Sequence, residues 1–131
     1  MKQMLLALFL IGAPMTGFAF FQVYFNTSSA LAGQAGLGDL SAMQTVVKDT
    51  IAISDKGDWV SAEKRITDFE TLWDTAEPNL RPMNKDAWSN VDVVADAALK
   101  ALRTKTPDAA KVKATLAVLL ATLADPLKPA N

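Results

Sequence analysis

The chain has 131 residues, half of them hydrophobic, with 13 basic and 14 acidic side chains and no His or Cys. Without His or Cys, several chemistries are excluded: disulfide frameworks, thiolate nucleophiles, Cys/His zinc sites, covalent haem attachment, histidine phosphorelays and every Ser–His or Cys–His catalytic arrangement. The near-neutral charge supplies neither the basic stripe that nucleic-acid binding needs nor a polybasic run for an anionic leaflet.

Residues 4–25 form a stretch of 22 without a charge, preceded only by Lys2 as a charged residue. As a helix this stretch would span about 33 Å at about 1.5 Å per residue, enough for a hydrocarbon core of about 30 Å. A signal-peptide apolar region usually runs only about 7–15 residues. The length therefore favours a signal-anchor helix over residues 1–25. Phe18, Phe20, Phe21, Tyr24 and Phe25 gather at its far end, where an amphipathic Tyr suits a membrane interface. Cleavage is the alternative. Gly17-Phe18-Ala19 after Pro14 offers a site after Ala19, and Ala30-Leu31-Ala32 offers one after Ala32. Both outcomes export the C-terminal domain, and Lys2 favours a cytoplasmic N-terminus. Gly12/Thr16 and Ala13/Gly17 have small-xxx-small spacing, which membrane helices also show without pairing because small residues are common in them.

Residues 26–38 read as a flexible linker, because Ser28, Ser29, Gly33, Gly36 and Gly38 break any periodic pattern. Asn26-Thr27-Ser28 matches a glycosylation sequon, which has meaning only in a eukaryotic secretory path. Gly33-x-x-Gly36-x-Gly38 follows no strand and is not a nucleotide fingerprint; no phosphate loop or Gly-x-Ser-x-Gly elbow occurs.

Residues 39–125 predict four helices. The first starts with Asp39 as N-cap and runs to about Ser54, with Leu40, Met43, Val47 and Ile51 as its apolar stripe and Val46 beside it. Gly57 stops it and Asp58 caps the second, where Trp59, Ala62, Ile66, Phe69, Trp73 and Ala76 recur at alternating intervals of three and four. Glu77-Pro78 is expected to end or kink that helix, and Pro82 to separate it from the third. Asn84 caps the third, whose stripe is Trp88, Val91, Ala95, Ala98 and Leu102. Thr106-Pro107 predicts the start of the fourth, striped by Ala109, Val112, Leu116, Leu119 and Leu123 and stopped by Pro126. Residues 126–131 are left as a tail.

The spacing averages about 3.5 residues, the period of a left-handed packing seam, and the short connections make successive helices antiparallel neighbours. The predicted fold is all-α: an N-terminal transmembrane or signal helix followed by an up-down-up-down antiparallel four-helix bundle. A core of the last three helices, with the first as an extension from the linker, is the alternative.

Candidate sites are few. Asp92/Asp96 and Glu70/Asp74 are acidic pairs one helical turn apart, which read best as solvated faces because a bundle-core carboxylate metal site also needs His. Trp73 and Trp88 lie near opposite sides of the second turn and are expected to pack together. Trp59, in the first turn of its helix, is the tryptophan expected to be partly exposed. Arg81 and Lys85 add a small basic patch. Trp59, Trp73, Trp88 and Arg81 are therefore the candidate ligand or partner contacts, weighed against core packing, with no catalytic residue, cofactor or metal ligand.

The run Ala62-Glu63-Lys64-Arg65-Ile66-Thr67-Asp68-Phe69-Glu70 carries a resemblance, together with Trp73-Asp74, Ala76-Glu77, Leu80-Arg81-Pro82 and Ala87-Trp88. So do Gly36-Leu37-Gly38-Asp39-Leu40, Ala101-Leu102-Arg103 and Thr106-Pro107-Asp108. Over most of residues 36–125 the chain resembles a set of small uncharacterised proteins of alphaproteobacteria, membrane-anchored or exported and helical. The resemblance implies a membrane-anchored or exported helical domain and brings no activity. The expected location is the inner membrane, single-pass, with the C-terminal domain in the periplasm; the alternative is a cleaved protein soluble in the periplasm. Such proteins are sometimes labelled histidine kinases, a label that a chain without His contradicts. The expected function is non-enzymatic: a tethered extracytoplasmic helical module acting through protein–protein contact, such as an accessory subunit of an envelope complex. The alternative is an exported bundle binding a small ligand or cation.

Overall fold

The four apolar stripes fold as four helices. A computed structural model describes residues 36–130, so the expected signal-anchor helix, both cleavage sites and residues 26–35 of the expected linker lie outside the described residues. The helices are α1 (Ser41–Asp55), α2 (Trp59–Met83), α3 (Lys85–Leu102) and α4 (Ala109–Ala124). No strand occurs among the described residues, and no helix there is long and apolar enough to cross a membrane.

α1 packs on α2 and α4, and α3 packs on the same two helices, closing a four-sided bundle. Contacts between helices give the directions. Asp49 meets Arg65 from α1 to α2, Trp73 meets Asp92 from α2 to α3, and the Gln44 amide donates to the Leu123 carbonyl from α1 to α4. Gln44, early in α1, lies against Leu123, late in α4. Along α2 the partners Arg103, Asp92 and Trp88 of Glu70, Trp73 and Arg81 step backwards in sequence, as antiparallel packing requires. The core is made of the predicted stripes apart from Ala109, which is exposed in the first turn of α4: Val47, Ile66, Phe69, Val91, Leu102, Val112, Leu116 and Leu119 are all fully buried. Ile51, Trp59, Ala76 and Trp88 pack against them while partly exposed.

Helix ends follow local chemistry. The carboxylates of Asp58 and Asp108 accept from the N–H groups of Ser61 and Lys111, and the Asn84 side chain accepts from Ala87 N–H. These satisfy donors that a helix start leaves without intrahelical partners. Two expected starts are displaced. Asp39 accepts from Ser41 N–H at 2.9 Å, but the residue at the cap position is Leu40. The last helix is capped by Asp108 rather than Thr106, leaving Pro107 outside, in keeping with the stronger capping preference of Asp. Gly57 ends α1 as expected: its φ of +74° is the left-handed conformation that closes a helix C-terminus, and its N–H donates to the Ser54 carbonyl.

The expected break at Pro78 and Pro82 does not occur. α2 runs through both prolines to Met83. They stand four residues apart on one exposed strip of the helix, so the carbonyls of Asp74 and Pro78, which lose their i+4 donors, are left for water to satisfy. The break comes at Asn84, whose extended backbone (φ −160°) turns the chain within one residue.

The start of the described chain is also packed. Leu37, within the stretch expected to be linker, is 1% exposed, and Leu40 is buried beside it. Gly36 and Gly38, with φ of +94° and +75°, let this short strap lie across the end of the bundle beside Leu127 and Met83.

Candidate functional site

The repeat of aromatics on α2 and α3 builds one column between those helices. Phe69 and Trp73 are one helical turn apart, with ring centroids 6.1 Å apart and planes inclined by 12°. Trp88 reaches across from α3 and continues the stack, 5.8 Å from Trp73 and again at 12°. At these separations near-parallel rings are offset rather than face to face, the arrangement that ring quadrupoles favour. The Arg81 guanidinium lies 5.0 Å from the Trp88 ring centroid and closes the column at its solvent end. Arg81 is also held by Glu77 at 3.2 Å, one turn back on α2.

Three of the four candidate contact residues, Trp73, Trp88 and Arg81, are thus brought together. The fourth, Trp59, belongs elsewhere: it opens α2 beside Gly57, about 21 Å from Trp73 along the helix at about 1.5 Å per residue. It is partly buried against the core. Trp73 is 3% exposed, so its ring surface is used in packing. Trp88 is partly exposed, yet its Nε1 is buried and has no hydrogen-bond partner among the described residues.

The carboxylates read as two solvated pairs share a single cleft. Glu70 and Asp74 on α2 and Asp92 and Asp96 on α3 line a cleft of about 150 Å³, with Trp73 in its wall. That is about the size of a cavity that accommodates benzene. Asp92 is not simply solvated: its Oδ1 accepts from Trp73 Nε1–H at 3.1 Å. Glu70 receives a bidentate contact from Arg103, which also donates to Thr67 Oγ1. The hydrogen bond to Glu70 holds the Arg103 pKa above its ordinary value. Asp96 pairs with Lys100 at 2.8 Å and raises the pKa of that lysine. Among the described residues no group of three or more carboxylates converges as a metal ion would need.

A second feature escaped the sequence. α4 is apolar nearly all round, and its outer face leaves Ala114, Ala117, Val118 and Ala121 exposed. Against α3 this face forms a groove of about 170 Å³ lined by Val94, Ala97, Ala114, Thr115 and Val118. Val93, next along α3, is 68% exposed. The high alanine content of residues 109–124 was the one available sign, since it leaves no polar face to turn outward.

No known family matches the chain, and no curated protein or solved structure is significantly similar to it. Of its four carboxylates, one is bonded to an indole N–H and two are ion-paired, beside an aromatic wall that is mostly buried.

Proposed function

We propose that this protein is a non-enzymatic helical module, tethered to the inner membrane by residues 1–25 and acting in the periplasm through protein–protein contact as an accessory subunit of an envelope complex. One observation carries the proposal: an uncharged stretch of 22 residues precedes a bundle whose aromatic residues are largely used in its own core. A spanning segment of that length needs no further apolar element to hold the protein at a membrane. The resemblance to anchored or exported alphaproteobacterial proteins agrees with this placement. The apolar groove between α3 and α4, flanked by exposed Val93 and Val118, is the kind of surface a partner helix covers. Purification of the full chain from membranes in gentle detergent, followed by mass measurement, tests the proposal. A stoichiometric complex lost on Val93→Asp/Val118→Asp is expected. Recovery of monomer alone, with no co-purifying protein or crosslink, counts against it.

The cleft favours a second function, an exported bundle that binds a small organic cation. Four carboxylates around one cleft, two of them ion-paired to Arg103 and Lys100, leave an excess of negative charge that suits an ammonium group. Ligand-dependent quenching of tryptophan fluorescence, lost on Asp74→Asn/Asp96→Asn, would support it over the first.

A further inference from the structure

Two large apolar side chains left exposed by the bundle flank the point where the chain joins it. A Cβ built on Gly36 would lie 3.0 Å from Leu127 Cδ2, and one built on Gly38 would lie 3.6 Å from Met83 Cε. Met83 and Leu127 are nonetheless 56% and 53% exposed. The other exposed large apolar residues among the described residues, Val60, Leu72, Val93 and Val118, lie along α2, α3 and α4, away from the strap. We infer that this end of the bundle rests on the lipid surface, with Met83 and Leu127 entering the interfacial layer. The inference rests on the membrane-tethered function proposed above and adds to it the orientation of the domain and the residues that touch lipid.

Reach supports it. Residues 26–35 lie between the uncharged stretch and Gly36, and ten residues span at most about 36 Å even fully extended. The bundle itself is about 37 Å long, taking α2 as 25 residues at about 1.5 Å each. The strap end is therefore the end held at the membrane, and the Gly57 and Thr104 turns lie a bundle length further out. Tethering raises the effective concentration of the surface, so two side chains that would partition weakly from free solution suffice. Charge then decides the kind of contact. Arg81, Lys85 and Lys128 at this end are offset by Glu77, Asp39, Asp86 and Asp125, so anionic headgroups have no excess positive charge to meet. The contact is apolar and independent of anionic lipid.

A cysteine-free chain makes the test direct. The full chain carrying a single fluorophore at Lys85→Cys, the exposed first residue of α3 at the strap end, or at Lys105→Cys on the far turn, is reconstituted into phosphatidylcholine vesicles containing doxyl-labelled lipid, with and without phosphatidylglycerol. The probe at 85 is expected to be quenched with either lipid mixture and the probe at 105 not at all. Met83→Asn/Leu127→Asn is expected to abolish quenching at 85 while the chain still floats with the vesicles. Four outcomes in a floating chain overturn the inference and leave the tether standing: equal quenching at both positions, none at 85, quenching that survives the double substitution, or quenching only with phosphatidylglycerol. A chain that does not float overturns the tether, and the inference with it.

Discussion

Trp73 on α2 donates its indole N–H to Asp92 on α3 across 3.1 Å, a bond between residues 19 apart in sequence that ties the aromatic column to the neighbouring helix. Trp73 is almost wholly buried, so removing the acceptor strands a buried donor. Asp92→Ala is expected to destabilise the domain by about 1–3 kcal/mol, whereas Asp92→Asn, which keeps an acceptor oxygen, costs less. Trp73→Ala removes the ring itself and is expected to cost about 3–5 kcal/mol. Urea denaturation followed by circular dichroism measures all three.

The helix starts give a second comparison. Asn84→Ala and Asp108→Ala each remove a side-chain acceptor for a first-turn N–H and should cost about 1 kcal/mol. Thr106→Ala, two residues before the true cap, is expected to change stability by less than about 0.5 kcal/mol. A larger loss at 106 than at 108 in thermal melts would mean that α4 starts where the sequence first suggested.

Asp58 adds a pH dependence. Hydrogen bonds from Ser61, side chain first and backbone second, hold its pKa below the ordinary 3.8. A carboxyl depressed in the folded state contributes stability above its unfolded pKa and loses that contribution as pH falls through the folded value. Asp58→Asn keeps a capping side chain but cannot titrate. The stability of the unsubstituted protein relative to Asp58→Asn is therefore expected to decline as pH drops below about 3.8 and to be constant above about pH 5. Parallel melts of the two proteins from pH 7 to pH 2.5 read this difference directly.

The prolines of α2 can be tested by relieving them. Pro78→Ala and Pro82→Ala each restore a helix N–H at an exposed position. The gain from the restored hydrogen bond exceeds the loss of proline's restraint on the unfolded chain, so each should stabilise by about 1–2 kcal/mol. No change, or destabilisation, in urea denaturation would show that the prolines shape the helix end to advantage.

Much of this architecture was readable from residue spacing. Intervals of three and four put Ile66, Phe69, Trp73, Val91, Leu116 and Leu119 on single faces, and those faces are the core. The acceptors at Asp58 and Asn84 were readable because capping is local. What escaped depends on contacts distant in sequence or on competition between neighbours. Pro78 and Pro82 argued for a break, yet packing by Trp73 and Leu80 on the opposite face keeps α2 continuous. Leu37 stood among glycines that read as linker, and only the end of the assembled bundle supplies the surface that buries it. Leu37→Ala should accordingly cost about 2–4 kcal/mol in the same denaturation assay. In the candidate site, the Trp73–Trp88 pairing followed from stripes meeting across a turn. The bond to Asp92, the roof formed by Arg81 and the shared cleft of the four carboxylates needed the register of α2 against α3, which periodicity leaves open.

Placement at the membrane is the claim on which function turns, and whole-cell labelling of the full chain carrying a single Lys105→Cys measures it. The expected result is modification by a membrane-impermeant maleimide in intact spheroplasts, with the labelled protein recovered in the membrane fraction at full-length mass. A protein that is labelled only after lysis and recovered in the cytosolic fraction would contradict it.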